Sequence, residues 1–126
     1  MFHSSTETAL SAAAPSVLAE TLASLFDVQC EAHANKLAYG FLKDDLSVAQ
    51  ESSYGRLQAD VHAIAAWLST QTHAGDRVLL AFAPRLDFVR VFWACLLSGR
   101  VAVPVPAPDP VRLHHAAPRL RSLIAD

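Results

Sequence analysis

The sequence predicts an α/β fold built on a strand–helix–strand unit. Three observations predict it. Val78–Phe82 is an unbroken apolar run of strand length, the pattern of a parallel strand covered on both faces. Leu86–Ser98 follows as a helix-length segment that is apolar almost all round, so it must be buried on most sides. Val101–Val105 is a second apolar run after Gly99, and a crossover of this length joins a parallel pair right-handedly.

The preceding elements are read the same way. Residues 1–15 are rich in Ser, Thr and Ala and close on Pro15, which predicts a mobile tail. Leu18, Leu22, Leu25, Phe26 and Gln29 recur at helical spacing, so a helix is expected over Ser16–Ala34. Leu37–Leu42 reads as a short strand, Lys43-Asp44-Asp45 as a turn, and Leu46–Glu51 as the antiparallel return. Ser53 is placed to cap a second helix over Tyr54–Thr70, with Leu57, Val61, Ile64, Ala65 and Leu68 on one face. Pro84 and Arg85 end the first parallel strand, and Gly99 stops the apolar helix. The β-branched and aromatic content of Leu86–Ser98 leaves a strand as the competing assignment there. Pro104, Pro106, Pro108 and Pro110 alternate into a stiff, extended exit. A last helix is expected over Pro118–Ala125, with proline in its first turn and His114-His115 before it.

Composition bounds the function. The 126 residues suffice for one domain, and a hydrophobic fraction of 52% argues against disorder. Net charge is −2, with ten scattered basic residues of which two are lysine, so there is no electrostatic footprint for nucleic acid. Arg85, Arg90 and Arg100 interrupt the apolar runs before any reaches bilayer length. The alanine-rich stretch Ala9–Ala14 follows Glu7 and lacks a basic start, so it is no secretory signal. Cys30 and Cys95 lie far apart in apolar helical patterns and read as reduced core thiols rather than a disulfide or metal pair. The expectation is a soluble, cytoplasmic chain.

Chemistry is sparse. Four glycines are present, and the closest two, Gly40 and Gly55, lie 15 positions apart. No glycine-rich phosphate loop can be written from them, because such a loop needs several backbone N–H groups free of neighbouring Cβ atoms. No serine has the glycine flanks of a nucleophile elbow. His114-His115 is either a fragment of a metal site or a solvated loop pair. Asp44-Asp45 is either half of an acid/base pair or a turn. Asp76 and Arg77 suit an ion pair at a strand entrance. Asp87 either complements the positive end of its helix or orients a ligand at the sheet edge. Phe88, Phe92 and Trp93 either line an acyl pocket or pack in the core. In each case the structural reading is the better default, and no residue is assigned a catalytic, cofactor-binding or metal-binding role.

Several short segments together resemble the start of a known family. They are Ser53-Tyr54-Gly55-Arg56-Leu57, Gly75-Asp76-Arg77-Val78-Leu79-Leu80, Leu86-Asp87-Phe88, Ala94-Cys95, Gly99, Ala102-Val103-Pro104-Val105, Pro108-Asp109-Pro110 and Pro118-Arg119-Leu120. This series resembles the N-terminal subdomain of the fatty-acyl-AMP ligases, within the adenylate-forming AMP-dependent synthetase/ligase superfamily. The resemblance covers residues 16–126. Arg85 and Ala94 stand where the family usually has glycine, and Ser98 where alanine is usual.

The resemblance implies a partial adenylation domain over residues 16–126, with helices on a small mixed sheet containing the right-handed βαβ unit. The parent reaction would use ATP and Mg²⁺ to convert a fatty acid to acyl-AMP and pyrophosphate. The acyl group would then pass to an acyl carrier protein in polyketide or non-ribosomal peptide assembly. The phosphate loop, nucleotide pocket and catalytic lysine of that family fall after the matched stretch, so no cofactor is expected on this segment. Three readings follow: an inactive N-terminal segment of such a ligase, a stand-alone non-enzymatic interaction module, and a small acyl-binding module using Phe88–Trp93. A parallel pair of two strands is marginal alone, so the segment is expected to be marginally stable or self-associating unless the remainder of the domain covers it.

Overall fold

The computed structural model describes residues 21–125. The elements in chain order are α1 (Leu22–Ala32), β1 (Leu37–Leu42), β2 (Val48–Ser53), α2 (Tyr54–Gln71), β3 (Arg77–Leu80), α3 (Leu86–Leu97), β4 (Val101–Pro104), a 3-10 turn (Pro110–Arg112) and α4 (Leu113–Ala125). The α/β class holds. Antiparallel and parallel pairing are both present, but they are divided between two two-stranded ladders, β1–β2 and β3–β4, rather than joined in one mixed sheet.

Helix α1 starts at a reciprocal cap. Thr21 Oγ1 accepts from the Ser24 backbone N–H at 3.1 Å, and Ser24 Oγ accepts from the Thr21 N–H at 3.1 Å. This cap places the start of α1 after Thr21 rather than at Ser16. The expected tail and the stretch 16–20 lie outside the described residues. Phe26 and Cys30, four apart, are the residues α1 buries.

The β1–β2 hairpin turns through Asp45, whose carboxylate accepts from the Ser47 backbone N–H at 2.9 Å and from its hydroxyl at 2.5 Å. Those bonds favour the ionised carboxyl and hold it below its usual range. Leu46 sits in the turn with φ 64°, so the return strand begins at Val48, two residues later than expected. Strand β2 runs directly into α2 because Ser53 ends the one and caps the other, accepting from Arg56 N–H at 3.2 Å. Gly55 permits this junction. Its N–H donates to the Ala34 carbonyl at 2.9 Å, and a Cβ there would lie 3.1 Å from the same oxygen. Helix α2 buries Leu57, Val61, Ala65 and Leu68 at spacings of four and three, as its pattern predicts.

Strands β3 and β4 pair in parallel, with Val78 opposite Ala102 and Leu80 opposite Pro104. Both are shorter than expected. The last ladder bond runs from Val105 N–H to the Leu80 carbonyl at 3.2 Å. Helix α3 bridges them, with Leu86, Ala94 and Cys95 buried, which excludes the competing strand assignment. Helix α4 starts at Leu113, five residues before Pro118, so proline is internal rather than in the first turn. Asp109 explains the earlier start: its carboxylate accepts from Val111 N–H at 2.9 Å and opens the turn that feeds the helix. His114 and His115 therefore lie within α4; their side chains are outside the described set.

Two helix ends converge on one guanidinium. Gly99 takes φ 72°, Gly99 N–H returns to the Leu96 carbonyl at 3.3 Å and Arg100 N–H to the Cys95 carbonyl at 2.8 Å. This is the paired-bond helix stop that favours glycine. Arg100, 9% exposed, then reaches back. Its Nε donates to Thr72 Oγ1 at 3.0 Å, its Nη2 to the Thr72 carbonyl at 2.6 Å, and its Nη1 to the Ser98 carbonyl. Thr72 and Ser98 are the C-caps of α2 and α3, so the positive charge sits where both helix dipoles are negative.

Three outcomes follow from this packing. Arg100→Met leaves two carbonyls without their donors and should cost about 2–4 kcal/mol in chemical denaturation, with Arg100→Lys recovering only part. Gly99→Ala should cost about 1 kcal/mol, since φ 72° strains any residue with a Cβ. The thiols set an alkaline limit. Burial, with smaller contributions from Asp27 and Glu31, pushes Cys30 up to about 11, and burial also raises Cys95 against the opposing charge of Arg100. Below about pH 8.5 both thiols are protonated whether the chain is folded or unfolded, and stability is unaffected by them. Above that only the unfolded thiols ionise, so stability should fall as pH rises toward 11, and Cys30→Ala should flatten the fall.

Candidate functional site

The core holds Phe26, Cys30, Leu57, Val61, Leu80, Leu86 and Cys95 together with Ala65 and Leu68 of α2 and Ala94 of α3. On one side it opens into a cavity of about 330 Å³ between α1, β1, α2 and α3. Phe26 and Trp93 form one wall as a stacked pair, with centroids 4.5 Å apart and planes at 25°. Leu57 also lines the cavity, as do the polar residues Gln29, Tyr39 and Tyr54. The helical period of α1 places Phe26, Gln29 and Cys30 on one face, which is why an amide and a thiol share the cavity. Cys30 stays a thiol at neutral pH, because burial disfavours its ionised form, so the cavity holds no activated nucleophile.

The aromatic residues singled out from the sequence divide. Trp93 lines the cavity. Phe88 and Phe92 stack on each other, with centroids 6.1 Å apart, and pack against the core elsewhere. Asp87, in the first turn of α3, accepts from Arg90 Nη1 at 3.1 Å. Arg90 Nε in turn lies 3.0 Å from the Asp60 carboxylate, which also pairs with Arg56 at 3.3 Å. Asp87 thus ends an ion-pair row along α2 and α3, alongside its place at the helix start. Asp45 is engaged by Ser47 in the hairpin turn, with Asp44 beside it. Asp76 accepts from His73 backbone N–H at 2.8 Å at the entrance to β3. Among the described residues, no group of three or more His, Cys, Asp or Glu side chains is placed to hold a metal ion.

A second polar group links α1 to α2. Asp27 Oδ1 is 2.7 Å from His62 Nε2 and accepts from Gln58 Nε2 at 3.0 Å. Neither this group nor the Arg100 clamp was visible as a motif. Their cross-helix partners lie 28 to 35 positions apart in the chain, and only the packed helices bring them together. Gln29 did carry a signal, as the one polar residue in the apolar stripe of α1.

Comparison with known proteins agrees with the fold and the sequence pattern. The AMP-binding enzyme family model matches residues 26–126. The medium-chain-fatty-acid–[acyl-carrier-protein] ligase JamA of Moorena producens is 34% identical over 106 residues, 84% of this chain and 18% of JamA. The long-chain-fatty-acid–AMP ligase FadD32 of Mycolicibacterium smegmatis is 35% identical over 78 residues, 60% of this chain and 12% of the relative. The chain therefore spans less than a fifth of the length of these relatives. The crystal structure of a fatty acyl-adenylate ligase from L. pneumophila, in complex with acyl adenylate and pyrophosphate, superposes with a TM-score of 0.74. It is 31% identical over 86% of this chain and 19% of that one. The N-terminal subdomain of Klebsiella oxytoca NpsA, 23% identical, shares the fold with a TM-score of 0.61 over 72% of this chain and 23% of that one. The chain belongs to the AMP-binding enzyme family and matches an N-terminal segment of its fatty acyl-AMP ligases.

Proposed function

We propose that this chain is the structural opening of a fatty-acyl-AMP ligase and contributes scaffold rather than reacting groups. The observation that carries this reading is the joint match to JamA and to the L. pneumophila ligase, over 84% and 86% of this chain. The parent reaction is attack of a fatty-acid carboxylate on the α-phosphate of ATP, giving acyl-AMP and pyrophosphate. The acyl group then passes to a carrier protein. Mg²⁺ and ATP belong to that reaction, but this segment does not fit them. It has no glycine-rich loop to cradle phosphates, and no cluster of metal ligands among the described residues. No step of the reaction is assigned to its side chains.

What the segment supplies is a packed unit with surface left to cover. Leu37, Phe82 and Val101 remain 40–61% exposed on or beside its strands. Burying a side chain of this size is worth roughly 1.5–3 kcal/mol, so covering them with the remainder of the domain would stabilise the unit substantially. The competing reading, a stand-alone interaction module, would need those residues covered by a separate partner or a second copy.

The test is fatty-acid-dependent exchange of labelled pyrophosphate into ATP. The 126-residue chain alone should show none, and the native gene product carrying downstream sequence should show it. Exchange by the short chain, or a native product of about 13.6 kDa with no exchange, would overturn the proposal.

A further inference from the structure

We propose that the cavity between α1, β1, α2 and α3 binds a small uncharged aromatic molecule bearing one hydroxyl or amide group. Its volume of about 330 Å³ falls in the range of small-ligand sites, which are mainly apolar with a few convergent polar groups. The lining carries no ionised side chain. A charged ligand would lose its hydration there with nothing opposite to offset the loss. Phe26 and Trp93, stacked on each other, both line the cavity and give it aromatic surface on which a further ring can pack.

The polar lining residues Gln29, Tyr39 and Tyr54 set the choice of head group. The Gln29 amide and the Tyr39 and Tyr54 hydroxyls make no hydrogen bond with another described residue, though all three line the cavity. Gln29 and Tyr54 are half-buried, so a ligand that both donates and accepts would satisfy groups that water reaches only partly. This site is independent of the adenylation reading, since the fatty acid and nucleotide of that reaction are anions and the cavity disfavours anions.

The two tryptophans give the experiment an internal control. Trp93 lines the cavity, whereas Trp67 is 60% exposed on α2. Benzyl alcohol titrated into the intact chain should move the Trp93 indole N–H resonance saturably and leave that of Trp67 in place. Benzoate, the charged counterpart, should bind at least tenfold more weakly. Gln29→Leu, a change at a half-buried position, should weaken binding several-fold, and Ala38→Phe should abolish it by filling the cavity. The proposal is overturned if both indoles move alike without saturation, or if benzoate binds as well as the alcohol. It is also overturned if binding appears only after residues 1–20 are deleted, which would make the chain's own N-terminal segment the occupant.

Discussion

Helix α3 is the constraint on which the rest of the structure depends. It is apolar almost all round, and no position in a two-layer arrangement could bury it against one neighbour. It packs instead against α1, α2, both strands of the parallel ladder and both strands of the hairpin. Leu86 is buried at its start and Ala94 and Cys95 near its end. Trp93 reaches across to Phe26, and Arg90 ties it to Asp60 on α2. The two ladders are not hydrogen-bonded to each other, so α3 is the element that makes them one body.

The ends of α3 show how the surrounding elements are fixed. At its C-terminus, the glycine stop and the Arg100 clamp act in sequence: Gly99 turns the chain, and Arg100 satisfies carbonyls from both α2 and α3 before β4 begins. A cation buried among carbonyls at two negative helix ends needs no carboxylate partner. At its N-terminus, Pro84 and Arg85 separate it from β3, and Asp87 sits in the first turn, where the dipole favours a carboxylate. The segment is thus well determined inside. Its apolar residues left at the surface lie mainly on the strands and on α4.

Much of this was legible in the sequence because periodicity reports local geometry. The buried positions of α2 fell at the helical spacing, Ser53 capped it as its hydroxyl suggested, and the apolar runs at Val78 and Val101 paired in parallel. The misplacements came where side chains set the boundaries. Thr21 and Ser24 fixed the start of α1, Leu46 was held in the turn beside the Asp45–Ser47 bonds, and Asp109 opened the path into α4 ahead of Pro118. The separate ladders and the cavity depend on packing between distant segments. Tyr39 and Tyr54 carry no local pattern that would have brought them to Trp93.

The central claim is that α3 is the innermost element and that the ladders depend on it. Native-state hydrogen exchange tests this most directly. The account predicts that the amides of α3, from Val89 through Cys95, exchange slowest and only through global unfolding. Those of α4 and of the β1–β2 hairpin should exchange faster through local opening. If α3 exchanged as fast as α4 while the ladders stayed protected, α3 would not be what holds the structure together.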